Sequence, residues 1–182
     1  MTYDSIALML TTQVPSVIHP IKFAQTEQAL QGTFPVEAML RLQALCDNPL
    51  TGLTANFQLS GALDEERRAY LTGSIEATVA LTCQRCLKPM MYPLKITFKL
   101  SPVFDEEAAQ QLPSSYEPLY LSQDEIALND LLEDELILAL PLIPKHDHCL
   151  SINEMVINMP EDENFSGIKG HPFDKLRHLK VK

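Results

Sequence analysis

The sequence lacks several features that would place it quickly in a class of proteins. No apolar run in its 182 residues approaches the roughly 18 residues that a membrane helix needs, so we expect no membrane association. No basic residue precedes Lys22, whereas a secretory signal begins with a positive segment. Four cysteines in this length do not form the pattern of a disulfide framework. Together these absences predict a cytoplasmic protein.

The common signatures of catalysis are also missing. The sequence contains neither GxxxxGK[ST] nor GxGxxG, so it has none of the usual phosphate-binding loops. It has no GxSxG, the turn that carries the nucleophile in many hydrolases. The acidic residues 133–135 are consecutive in a predicted helix, where neighbouring side chains point in different directions, so the run does not indicate paired-carboxylate catalysis and is more typical of a solvated helix face. We therefore expect a protein that is not an enzyme.

The net charge of −10 is distributed unevenly along the chain. Residues 101–167 contain one Lys and fifteen Asp or Glu, whereas residues 168–182 contain five Lys or Arg and one Asp. An acidic body repels the phosphates of nucleic acids at long range, while a short basic tail attracts them. The alternative is that both segments serve only solvation and solubility.

Hydrophobic periodicity predicts a single α+β domain over residues 1–150. Pro20 and Pro35 each begin a segment with helical spacing of apolar residues, so residues 20–46 are predicted to be helical. From residue 53 the period changes to two, which predicts an antiparallel sheet over residues 53–121.

Within that sheet, residues 75–82 and 94–100 are predicted to pair as antiparallel strands. A helix with Asn129 as its N-cap is predicted over residues 129–140, and its leucines are expected to pack on the sheet. Residues 151–182 are predicted to be a flexible acidic linker followed by a basic C-terminal tail.

Two clusters of cysteine and histidine indicate a metal site. The stretch LTCQRCLKP places Cys83 and Cys86 at the predicted hairpin turn, where two thiolates can point at one position, as in zinc ribbons and knuckles. The stretch LIPKHDHCL, after the predicted helix, adds His146, His148 and Cys149. Zinc prefers four such ligands, so three cysteines with one histidine predict a zinc site. The alternative is a reduced pair of surface cysteines beside a polar loop.

Four stretches of the sequence together resemble a known family. In chain order they are LTCQRCLKP, LPSSYEPLYL, LLEDELILALPLIPKHDHC and HPFDKLRHLK. They resemble the YceD-like family, the large ribosomal RNA subunit accumulation proteins of bacteria and plastids. The resemblance implies a role in the synthesis, processing or accumulation of 23S rRNA, and hence in large ribosomal subunit biogenesis, without a known catalytic activity. Many longer members carry several cysteines after the helix, so the metal site here is either retained with histidines or degenerate.

Three functional hypotheses follow. The first is a non-enzymatic assembly factor whose basic tail binds large-subunit rRNA or a pre-ribosomal particle. The residues predicted to make that contact are Lys169, Phe173, Lys175, Leu176, Arg177, Lys180 and Lys182. The second is an acidic binding module or chaperone for a basic ribosomal protein, because opposite fields steer association. The third is a metal-dependent RNA hydrolase, which needs an open metal position and a nearby base, for which Glu135 is the candidate.

Overall fold

A computed structural model of the chain describes residues 14–149, so the predicted linker and tail lie outside the described residues. The elements, in chain order, are β1 (Val17–Ile18), α1 (Pro20–Gln25), β2 (Ala29–Pro35), a 3-10 turn (Val36–Ala38), α2 (Leu40–Leu45), β3 (Thr54–Leu63), β4 (Ala69–Thr82), β5 (Pro89–Val103), α3 (Glu106–Gln110), β6 (Glu117–Tyr120), β7 (Ile126–Ala127) and α4 (Leu128–Leu138). The predicted α+β class is confirmed. No helix between residues 14 and 149 is long and apolar enough to cross a membrane.

A five-stranded sheet in the order β2-β3-β4-β5-β6 is the centre of the fold. The first four strands are antiparallel, whereas β6 pairs with β5 in parallel. The predicted pairing of residues 75–82 with 94–100 is confirmed, with Ile75 opposite Ile96 and Thr82 opposite Pro89. Strands β1 and β7 form a second, two-stranded sheet. The long β4–β5 hairpin therefore extends to the turn that holds both cysteines.

One face of the central sheet is apolar and carries the helices. Strand β3 alternates strictly, with Ala55, Phe57 and Leu59 buried and the residues between them exposed, as expected when one face packs on a core. The leucines of α4 join the same buried cluster, and Leu132 and Leu136 are almost fully buried. The predicted packing of this helix on the sheet is confirmed.

The predicted helical segment over residues 20–46 is wrong between Ala29 and Pro35, which form the edge strand β2. Helices flank this strand on both sides, but they are short, ending at Gln25 and beginning again at Leu40. Gly32 lies in the middle of β2. A Cβ at this position would come within 2.4 Å of the Val14 side chain and 3.0 Å of the Phe57 ring. Because an inward position of the strand carries no side chain, its alternation is hidden in the sequence.

The start of the predicted helix over residues 129–140 also needs correction. Helix α4 begins at Leu128 with Ala127 as its N-cap, and no side chain caps it. Asn129 lies within the first turn, and its buried Oδ1 atom has no hydrogen-bond partner in the described chain. The helix ends at Leu138, before Pro141. The predicted sheet region, 53–121, also contains the short helix α3.

A buried carboxylate joins α2 to α4. Glu133 is 3% exposed, and its Oε1 accepts hydrogen bonds from the backbone N–H groups of Arg41 (2.7 Å) and Leu42 (2.9 Å). Its Oε2 accepts from Arg41 Nε at 3.0 Å. Helix α2 has no side-chain cap of its own, so Glu133 satisfies N–H groups that the start of a helix leaves free.

We expect Glu133→Ala to lower the free energy of unfolding by about 2–4 kcal/mol, because two backbone donors and the Arg41 side chain lose their buried partner. The matched control is Asp134→Ala, which also removes a partner of Arg41 but at an exposed site and should cost less than about 1 kcal/mol. Urea denaturation measures both. Equal losses for the two variants would contradict the role assigned to Glu133.

Candidate metal centre

The turn between β4 and β5 is tight enough to bring two thiols together. Cys83 N donates to Lys88 O at 3.0 Å, and Leu87 N donates to Cys83 O at 2.9 Å. Leu87 has a φ of 56°, the left-handed region that favours glycine. The turn therefore contains a strained residue, and it encloses Cys83 and Cys86, which are both buried.

The segment after α4 returns to this turn. Gln84 N donates to Pro144 O at 2.8 Å, which attaches the returning segment to the hairpin. Cys149 Sγ lies 3.7 Å from Cys83 Sγ, and His146 Nδ1 lies 3.4 Å from Cys86 Sγ. The four ligand atoms all lie within 4.8 Å of one another. Two clusters that are about 60 residues apart in the sequence thus form one site.

Of the five predicted ligands, the structure brings together Cys83, Cys86, His146 and Cys149. The fifth, His148, has an exposed side chain and lies outside this group. The sequence did not distinguish the two histidines. The tail residues predicted to bind RNA lie outside the described part of the chain.

The spacing and chemistry of the four ligands fit a tetrahedral metal ion. Ligand bonds of about 2.1–2.3 Å give a tetrahedron with edges of about 3.4–3.8 Å, and two of the six distances between ligand atoms, 3.7 Å and 3.4 Å, match these edges. A disulfide would require about 2.05 Å between sulfurs, and all three cysteines are free. The group can therefore hold a metal ion.

The surroundings of the two buried cysteines favour a bound cation. Burial alone would raise the pKa of Cys83, but hydrogen bonds from the backbone N–H groups of Cys86, His146 and Arg85 outweigh it and lower that pKa to about 5. The backbone N–H of Lys88 favours the Cys86 thiolate, yet burial and the neighbouring Cys149 and Cys83 together raise the pKa of Cys86. The Cys83 thiolate is thus stabilised, whereas ionisation of Cys86 is disfavoured by burial and by the nearby cysteines. A bound divalent cation would favour the thiolate form of both residues.

Arg85 is a residue of the site that the sequence analysis missed. Its Nε donates to Cys149 Sγ at 2.9 Å, and its Nη2 donates to His146 O at 2.7 Å and to Asp147 O at 3.4 Å. It therefore holds the second half of the site against the first, in the way that outer groups orient metal ligands. In the sequence, Arg85 is visible as a basic residue between Cys83 and Cys86. The spacing alone could not show that its side chain faces the segment after α4.

Glu135, the candidate base of a hydrolase, lies on α4 and is 8% exposed. It does not belong to the four-ligand group. Burial, with smaller contributions from Glu117 and Asp134, raises the pKa of Glu135 to about 7. Because the folded pKa lies above the unfolded one, this carboxyl favours folding when protonated, and its contribution to stability falls as pH rises toward 7.

We expect His146→Ala to abolish stoichiometric metal binding and to lower the thermal stability, because one of four ligands is removed and metal binding is coupled to folding. His148→Ala is the matched control and should retain both the metal and the stability of the wild-type chain. Elemental analysis of protein purified without a metal-affinity tag measures the metal content. Loss of metal in the His148 variant but not in the His146 variant would refute the ligand assignment.

Comparisons with known proteins agree with the resemblance found in the sequence. The family described as "Large ribosomal RNA subunit accumulation protein YceD" matches residues 71–180, a range that includes both halves of the metal centre. A Haemophilus influenzae protein with the same description is 35% identical over 178 residues, which cover 96% of this chain and 100% of the relative. No solved structure matches the chain. The chain therefore belongs to the YceD family of large ribosomal RNA subunit accumulation proteins.

Proposed function

We propose that this chain is a non-enzymatic factor in the accumulation of 23S rRNA and the biogenesis of the large ribosomal subunit. The observation that carries the proposal is similarity over nearly its whole length to a relative named for large ribosomal RNA subunit accumulation. Its site of action is the cytoplasm, and its partner is large-subunit rRNA or a pre-ribosomal particle.

We propose that the metal is zinc and that its role is structural. Three thiolates and one imidazole supply all four ligands that a structural zinc site uses. A hydrolase would instead need a position open to water and a base beside it. The ligand set therefore favours an assembly factor over the hydrolase hypothesis. When bound, zinc supplies folding energy that keeps the segment after α4 on the hairpin turn.

The distribution of charge supports RNA binding by the basic tail, residues 168–182. Residues 14–149 contain nine Lys or Arg and eighteen Asp or Glu, so this part of the chain repels phosphates at long range. Residues 168–182 have the opposite balance, with five basic residues and one acidic. In this proposal the basic residues of the tail contact phosphates, and Phe173 and Leu176 anchor it to protein.

The acidic segment supports a second candidate function. Residues 101–167 carry fifteen acidic residues and one Lys, a balance suited to shielding a basic ribosomal protein before it reaches RNA. Reversing the charge of the tail impairs the first function, whereas neutralising acidic residues of this segment impairs the second.

We expect deletion of residues 171–182 to reduce co-sedimentation with pre-ribosomal particles and to lower the amount of large-subunit rRNA. The physical reason is the loss of the cations that supply affinity for phosphates. Gradient profiles and RNA quantification in cells that carry only the truncated chain measure both effects. A chain of full length in which Lys175, Arg177, Lys180 and Lys182 are replaced by Gln separates loss of charge from loss of length.

As a control, the truncated chain and the chain with the four Gln replacements should show the same thermal unfolding as the wild-type chain. Normal large-subunit peaks together with normal co-sedimentation of the truncated chain would show that the tail is dispensable. That outcome would favour the acidic segment as the binding surface.

A further inference from the structure

The face of the central sheet opposite the helices carries rows of side chains that are polar except for Ala29. The strand register places residues of four strands side by side in each row. The first row consists of Thr33, Asn56, Glu76 and Lys95, the second of Gln31, Gln58, Ser74 and Thr97, and the third of Ala29, Ser60, Thr72 and Lys99. We call these three rows the polar face. Most of its members on β2 and β3 are exposed.

The polar face has more hydrogen-bonding capacity than it uses. Across the part of the chain that the structure describes, its side chains make two contacts with one another, between Ser60 and Thr72 at 2.8 Å and between Lys95 and Glu76 at 2.6 Å. The amides of Gln31, Asn56 and Gln58 are left to solvent or a ligand. They line a groove of about 420 Å³ together with Thr33, Ser74 and Glu76.

An aromatic and cationic cluster adjoins the third row. Lys99 Nζ lies 4.7 Å from the ring centroid of Tyr70 and 4.4 Å from that of Tyr116. The two rings are 5.6 Å apart, and the Tyr116 hydroxyl donates to Asp64 at 3.2 Å, which fixes its ring. These groups are of the kinds that bind RNA. Cations contact phosphates, aromatic rings stack on bases, and amides form hydrogen bonds with base edges.

The charge of the polar face differs from that of the rest of the described chain. Its one acidic residue, Glu76, is paired with Lys95, and Lys99 leaves the face with a net positive charge. The described residues as a whole are strongly acidic. An RNA strand therefore meets less repulsion here than on the chain as a whole.

We propose that the polar face binds a single-stranded segment of RNA, with the amides of Gln31, Asn56 and Gln58 bonding to base edges and Lys99 contacting phosphate. This inference rests on the proposed function and locates a second RNA contact in the folded body, separate from the tail. An RNA duplex is disfavoured because pairing occupies the Watson–Crick edges of its bases and its major groove is too deep and narrow for side chains to read. A protein partner is disfavoured because the centre of a protein interface is enriched in apolar and aromatic residues, and the centre of this face has none exposed.

The test measures binding of a fluorescent single-stranded RNA 12-mer to the full chain by anisotropy, with a duplex of the same length for comparison. The face variant is Gln31→Ala, Asn56→Ala and Gln58→Ala combined. The matched control removes three exposed amides elsewhere, with Gln43→Ala, Gln110→Ala and Gln111→Ala. We expect the face variant to weaken binding of the single strand about fivefold or more and the control to leave it unchanged.

Lys99→Gln tests the phosphate contact separately. It should reduce the slope of log affinity against log salt by about 0.7, the value for one phosphate contact on a single strand, while Lys22→Gln on α1 should not. Equal affinity of the wild-type chain, the face variant and the control would overturn the proposal. An equal loss for single strand and duplex would also overturn it, because base edges would not be involved.

These outcomes separate failure of this inference from failure of the proposed function. If the tail deletion lowers large-subunit rRNA but the face variant binds RNA normally, the function stands and the second contact does not exist. If the wild-type chain does not bind the RNA and cells that lack the whole chain keep normal levels of large-subunit rRNA, both proposals fail. Coincident thermal unfolding of all variants with wild type excludes misfolding as the cause.

Discussion

The segment after α4 closes the β4–β5 turn and brings two distant parts of the chain into one cluster of ligand atoms. The turn supplies two thiols, and the returning segment supplies a thiol and an imidazole. Arg85 bonds to Cys149 and to the carbonyl of His146, and Gln84 bonds to Pro144. Because neighbouring thiolates repel one another, a divalent cation at this position would stabilise the group. The path of the chain after α4 therefore determines whether the four ligand atoms come together.

Helix α4 is held by polar contacts in its middle and beyond its end. In its middle, Glu133 accepts hydrogen bonds from the first backbone N–H groups of α2, and beyond its end the chain reaches the candidate metal centre. The leucines of the helix pack into the core. Glu135, on the same helix, has a raised pKa because it is buried, so its ionisation opposes folding at neutral pH. The contacts of Glu133 and the buried leucines offset this cost.

The sequence predicted the parts of the fold that have a clear period and missed those that depend on distant contacts. Alternation over residues 75–82 and 94–100 was sufficient to place the cysteines at a hairpin turn. Strand β2 was mistaken for helix because Gly32 removes a side chain from its inward face, where Val14 and Phe57 occupy the space. The sequence also could not distinguish His146 from His148, since either is close enough to Cys149. That choice depends on how the returning segment bends, which only the folded structure shows.

We propose that three cysteines and one histidine form a closed structural zinc site that joins the hairpin to the segment after α4. X-ray absorption at the zinc edge of untagged protein tests this proposal. We expect zinc with three sulfur neighbours at about 2.3 Å and one nitrogen neighbour at about 2.0–2.1 Å. Oxygen from water among the nearest neighbours, or the absence of bound zinc together with free reactivity of all three thiols, would contradict it.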